Sequence, residues 1–182
     1  MLSVAQRNFL QQLPELCYDT QLKVGSHMEE KFYQHVLIAN LRAKGIESVY
    51  EDVFTYQFTN IHGNLIRIGH GMNARTDIEL CDLNMILELK KSNAATKAEH
   101  LSQCRNYLIH RDDITIGVVI NFISKESNDS GPYTQIDVIQ KTGKIIELSS
   151  TYRVPELLAY KTINTRTVPP LSTYVISNDD EI

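Results

Sequence analysis

Apolar and polar positions along the chain follow two periods, one helical and one alternating. "VAQRNFLQQLPELC" (Val4 to Cys17) has helical spacing that Pro14 is expected to break. "MEEKFYQHVLIANLRAKG" is the strongest helical stretch, with Phe32, Val36 and Ala39 as its apolar line. Ser26, with Glu29 three residues on, reads as its N-cap, and Gly45 ends it. "IESVYEDVFTYQF" is then rich in β-branched and aromatic residues, "IHGN" reads as a turn, and "LIRIG" as the next strand. "ARTDIEL" and "MILELK" read as the two strands of a hairpin. "ATKAEHLSQCRNYLIH" returns to helical spacing, with Leu101, Cys104 and Leu108 as its buried stripe. "ITIGVVINF" is continuously apolar, as a strand covered on both faces should be. After the loop "ESNDSGP", "YTQIDVIQ" and "KIIELS" form a last hairpin around "KTGK". Beyond "TYRVPELLAYKTI" the pattern becomes irregular, with Pro169, Pro170 and the acidic end "SNDDEI".

This order predicts an α/β fold with a central mixed sheet flanked by helices. It divides into an N-terminal helical segment (1–23), a main domain (24–150) and a C-terminal extension (151–182). A chain of 182 residues, 42% hydrophobic, suits one core of that kind. No apolar run reaches the ~18 residues of a membrane span, and the start lacks the apolar core of a signal peptide. An intracellular protein, cytoplasmic or nuclear, is expected. Cys17, Cys81 and Cys104 are odd in number and far apart, which fits free thiols. The histidines form no zinc-ligand spacing.

Net charge is −4, which excludes a generally basic nucleic-acid coat. Charge is nevertheless uneven. Lys90, Lys91, Lys97, Arg105 and Arg111 outnumber the acid Glu99 over one short stretch, as in an enzyme that binds a polyanion locally, or as on a merely solvated face.

The chemistry of interest lies in "DIELCDLNMILELK". A turn over Cys81 to Asn84 sets Leu80 opposite Met85, Asp77 opposite Glu88 and Arg75 opposite Lys90. Opposed residues share a face, with Cβ atoms about 4.5–5.5 Å apart. Alternation then gathers Ile78, Leu80, Met85, Leu87 and Leu89 on one face and Asp77, Glu79, Glu88 and Lys90 on the other. Two opposed carboxylates repel unless a cation lies between them, and hard oxygen ligands suit Mg²⁺ or Mn²⁺. Such an ion activates water and offsets charge on a phosphate. An amphipathic hairpin with a wet, charged face would carry the same pattern. Two helices bear on the choice. Glu30 and Tyr33 lie one turn apart on the first, and His100, Gln103 and Tyr107 share a side of the second. If both helices cover the charged face, it becomes a polar cleft.

Taken together, "GSHMEEKFY", "RTDIEL", "LELK", "HLSQCRNYL" and "IGVVINF" resemble the GxxExxY proteins of the PD-(D/E)XK nuclease superfamily, from about Val24 to Phe122. The resemblance implies a restriction-endonuclease-like core and a Mg²⁺-dependent nuclease site, with Mn²⁺ as an alternative ion. By position it makes Asp77 and Glu88 metal ligands supported by Glu30, Lys90 the catalytic lysine, and Gln103 and Tyr107 the Q-x-x-x-Y of the following helix. His27 stands where the family's second glycine is usual, and Thr76 rather than proline precedes Asp77. The expected catalytic set is Glu30, Asp77, Glu88, Lys90 and Gln103. Lys91, Lys97, His100, Tyr107, Arg75 and Tyr33 are expected to bind substrate. The partner is then nucleic acid, DNA in the first instance, with a homodimer compatible. Two other readings are a catalytically inactive nucleic-acid-binding or assembly module on the same fold, for instance in a virus particle, and a hydrolase of small phosphate esters.

Overall fold

A computed structural model describes residues 2–25, 28–59, 61–124 and 133–155. Helix α1 spans Val4–Val24 and α2 spans Glu30–Ala43. Strands β1 (Val49–Tyr50), β2 (Val53–Thr59), β3 (Leu65–Arg75), β4 (Ile78–Leu80) and β5 (Met85–Ser92) follow, with a 3₁₀ turn over Cys81–Leu83 between the last two. Helix α3 (Ala98–His110) leads to β6 (Ile116–Ile123), β7 (Tyr133–Thr142) and β8 (Ile145–Pro155). Six strands form one sheet in the order β1-β4-β5-β6-β7-β8, and β2 and β3 form a separate ribbon. Only β5 and β6 pair in parallel, across the α3 crossover; the other neighbours are antiparallel.

Two apolar layers hold the sheet. On one face Ile78, Leu80, Met85, Leu87 and Leu89 pack with Leu13 and Leu16 of α1 and Leu37 and Leu41 of α2. On the other, Ile86, Val119 and Ile139 pack with Cys104 and Leu108 of α3. Strand β6 is buried along its whole length, as its unbroken apolar run predicts. A Cβ on Gly117 would stand 2.3 Å from Cys104 Sγ, so the absence of a side chain there is what allows α3 to lie so close to β6.

Several expectations need correction. Helix α1 runs straight through Pro14. A proline inside a helix costs roughly 3 kcal/mol, but each of the buried Phe9, Leu10, Leu13 and Leu16 returns about 1.5–3 kcal/mol. A capping box between Ser3 and Gln6 also secures the first turn. In α2 the buried line is Tyr33, Leu37, Ile38 and Leu41, while Phe32 is 48% exposed. The larger aliphatic set outcompetes Phe32, Val36 and Ala39 for the core. The N-cap of α2 is Glu29, and Ser26 lies outside the described residues. "ARTDIEL" is not one strand. Arg75 ends the ribbon, opposite Val53, and β4 begins in the main sheet at Ile78. The "IGHGMNA" stretch sits within β3, where the pairing jumps from Ile68 to Asn73. The final hairpin turns at Gly143 as expected, but β8 continues through Thr151 to Pro155. The loop "ESNDSGP" and the stretch from 156 onward lie outside the described residues.

Candidate functional site

The hairpin register is as the sequence predicts: Leu80 pairs with Met85, Glu79 with Ile86 and Ile78 with Leu87. Asp77 lies immediately before β4, close enough for its charge to act on Glu88. Asp77 occupies the switch between ribbon and sheet, and the backbone fixes it twice. Its carbonyl accepts from the Glu51 N–H at 3.0 Å, and its Oδ2 accepts from the Leu89 N–H at 2.7 Å. Glu88 is buried, 2% exposed, and its Oε1 accepts from Lys90 Nζ at 2.7 Å. Its other oxygen, Oε2, is buried and has no hydrogen-bond partner.

These contacts perturb titration. Burial raises the Asp77 carboxyl; the Leu89 N–H and Lys90 oppose this, and the negative charges of Glu30 and Glu51 add to it. Burial raises Glu88 as well, followed by repulsion from Asp77, with Lys90 opposing. For Lys90 burial pulls the ammonium down, but Glu88, Asp77 and Glu30 together outweigh it and the net shift is upward. Burial and the neighbouring Lys90 charge lower His100. A buried and a half-buried carboxylate that resist ionisation around one ammonium hold stored repulsion, which added positive charge would relieve.

The helices reach this group differently from expectation. Among the described helices, α3 is the one that packs on the face carrying Glu88 and Lys90. Helix α2 packs on the opposite face, and Glu30 at its first turn extends to the end of β5, where Oε2 accepts the Lys91 N–H at 3.2 Å. From α3, Gln103 Nε2 donates to the Tyr107 hydroxyl at 2.8 Å, and that hydroxyl donates to the Arg75 carbonyl at 3.0 Å. Tyr107 thus anchors the chain two residues before Asp77. His100 is mostly buried near Lys90, its Nδ1 accepting the Lys97 N–H at 3.4 Å.

Other predicted residues are not brought together here. Tyr33 is 1% exposed, stacks on Phe122 with ring centroids 4.5 Å apart, and donates its hydroxyl to the Gly25 carbonyl. Arg75 does not face Lys90; it bonds Glu51 at 2.9 Å on the ribbon side. Lys91 is half-buried, and Lys97 is exposed with Glu99 at 3.6 Å. The basic strip is also broken at both ends, because Lys90 is held by Glu88 and Arg111 is surrounded by Asp52, Glu79 and Asp113.

A family model described as the PD-(D/E)XK nuclease superfamily matches residues 7–132, more than half of the chain. The chain belongs to this superfamily. Its mixed sheet flanked by helices is the restriction-endonuclease-like fold, and the match begins within α1. No curated protein matches the chain. A solved structure titled "Crystal structure of SSO0001" is similar at 16% identity and a TM-score of 0.40, covering 90% of this chain and 72% of that one. Among the described residues no helix is long and apolar enough to cross a membrane.

PD-(D/E)XK nucleases generally work with divalent metals, and the donors of this centre bear on whether one fits. Among the described residues no three His, Cys, Asp or Glu side chains converge into a ready-made cage. Mg²⁺ does not need one, since it keeps several waters and commonly takes one or two carboxylates. The unpartnered Glu88 Oε2 beside Asp77 fits that role, and a buried anionic oxygen left without a donor is otherwise costly. Sequence reasoning missed two features: the Leu89 N–H that orients Asp77, and the buried Glu79–Arg111 pair. The first is a backbone group, invisible to side-chain motifs. The second joins residues far apart in sequence.

Proposed function

We propose that this protein is a divalent-metal-dependent nuclease that hydrolyses phosphodiester bonds of DNA, with Mg²⁺ as its ion and Mn²⁺ as a substitute. The observation that carries this reading is the buried, unpartnered Glu88 Oε2 next to Asp77 in a member of a nuclease superfamily. A bound divalent ion would supply an activated water and positive charge at the scissile phosphate. Asp77 and Glu88 would hold it, with Glu30 as a supporting acid. The Leu89 N–H keeps one Asp77 oxygen turned toward β5, leaving the other for a ligand. Lys90 stays protonated, because its carboxylate neighbours outweigh its burial. It therefore acts as a cation aimed at charge developing on phosphate oxygens, rather than as the base. Gln103 and Tyr107 steady the approach to Asp77 from α3, and Lys91, Lys97 and His100 would meet the substrate backbone.

Incubating supercoiled, linear and single-stranded DNA, and RNA alongside, with Mg²⁺, Mn²⁺ or EDTA tests the reading. Cleavage of DNA that needs metal supports it. DNA bound but left intact under every condition would make the protein a binding module instead.

A further inference from the structure

Asp77 lies between two gripped points. Just before it, the Thr76 N–H donates to the Asp52 carbonyl at 3.0 Å, and the Asp77 carbonyl itself accepts from the Glu51 N–H. Two residues after it, Glu79 is buried at 5% exposure. Both grips end on a single guanidinium, that of Arg111, just past α3. Arg111 Nη1 donates to Asp52 Oδ2 at 3.2 Å and to Glu79 Oε2 at 3.0 Å. Nη2 donates to Glu79 Oε1 at 2.8 Å and to Asp113 Oδ2 at 2.7 Å, and Nε donates to Asp113 Oδ1 at 2.9 Å. The five N–H donors of an arginine are thereby all accounted for, and the guanidinium also lies 5.4 Å from the Phe54 ring centroid.

This arrangement has two consequences. A saturated guanidinium has no donor left for a phosphate, so the last member of the basic strip is removed from substrate binding. The bidentate pairs with Glu79 and Asp113 fix the orientation of the guanidinium as well as its charge, and the fixed Nη1 then holds Asp52 through one further bond. Through Asp52 the guanidinium reaches the Glu51–Asp52 turn, in which Glu51 adopts a φ of 50°, a conformation that non-glycine residues keep only when their surroundings impose it. We infer that Arg111 is a positioning residue: by holding the Glu51–Asp52 turn and Glu79 together, it sets where Asp77 presents its carboxylate. The inference rests on the reading of Asp77 as a metal ligand.

Arg111→Lys keeps the charge and removes the fork. Three readouts on the full chain test it: amide exchange at Glu51 and Thr76 without metal, Mn²⁺ affinity by calorimetry, and duplex-DNA affinity in EDTA across a salt series. Replacing an outer partner of a metal ligand typically weakens metal binding about 10–100-fold. That loss is expected here, with faster exchange at Glu51 and Thr76, unchanged exchange at Leu87 and Val118, and unchanged DNA affinity. If exchange and Mn²⁺ affinity do not move, or if DNA affinity drops with a shallower salt dependence, Arg111 is not a positioning residue. Should Arg111→Lys fail to fold, Glu79→Gln carries the same test, since it frees one grip and leaves the other. A wild-type protein that binds no Mn²⁺ defeats the nuclease reading instead, and exchange at Glu51 and Thr76 still decides whether Arg111 holds the turn.

Discussion

The Leu89 N–H donates to Asp77 Oδ2 across the hairpin, joining the switch residue to the strand that carries Glu88 and Lys90. An asparagine at position 77 keeps an oxygen acceptor for that bond. Asp77→Asn should therefore fold as the wild type does, with an unchanged or slightly higher melting temperature, because one of two repelling charges has gone. On the proposed function its cleavage rate should fall by about 10²-fold or more, since one of the two charges proposed to hold the metal is lost. Thermal melts beside a cleavage time course check both halves. Wild-type cleavage by Asp77→Asn would reduce the stretch to a charged hairpin.

Lys90→Ala should separate metal binding from chemistry. Both carboxylates survive, and Glu88 loses its ammonium partner, so a divalent ion should bind at least as tightly by calorimetry. The chemical step should slow by about 10²–10³-fold, the usual loss when a charge aimed at a developing oxyanion is removed. A proportional fall in metal affinity would place Lys90 in metal binding and not in catalysis.

The pH dependence of stability has an unusual sign here. Asp77 and Glu88 are both raised by burial, so the folded chain holds protons that the unfolded chain releases. Their contribution is present in acid and is lost as the pH rises from about 4, the ordinary carboxylate range, through the raised folded values. Without metal, wild type should therefore gain stability relative to Asp77→Asn on going from pH 8 to pH 5.5, by on the order of 1 kcal/mol. If the pair holds Mg²⁺ as proposed, the ion takes its ionised form, so the stabilisation it gives should grow with pH. Denaturant melts at the two pH values, with and without Mg²⁺, read both trends; a difference that does not change with pH would mean the pair is ionised at no cost.

Lys97 is the exposed cation nearest the start of α3. Lys97→Glu should weaken DNA binding in EDTA and lower the slope of affinity against salt by about one counterion. Metal affinity should be unaffected. Equal salt slopes for the two proteins would move the nucleic-acid path away from α3.

Much of this arrangement was legible in the sequence because it depends on local periodicity. The turn from Cys81 to Asn84 fixed the register of β4 on β5, and alternation separated the Leu87 face from the Glu88 face. The unbroken apolar run of β6 marked a central strand. What failed was set by contacts between distant segments. The side of α2 that is buried depends on α1 lying beside it, which put Tyr33 in the core and Phe32 outside. The break at Thr76 depends on backbone bonds to Glu51 and Asp52, which no side-chain pattern announces. Arg111 belonged by sequence to a basic strip, and only the approach of Glu79 from β4 and Asp52 from the turn before β2, with Asp113 beside it, shows that it is fully engaged.

Gly117 offers a handle of a different kind. A single methyl group there collides with the Cys104 sulfur and presses on Leu108, both side chains of α3, the helix that carries Gln103 and Tyr107 and leads into Arg111. Gly117→Ala leaves every polar group of the centre in place and strikes only the seam on which they depend. Such a lesion is the usual basis of a heat-sensitive allele: a product that works in cool culture and fails on warming. The proposed activity would then be switched off in living cells by a shift of temperature, with every residue assigned to metal or DNA left as it is.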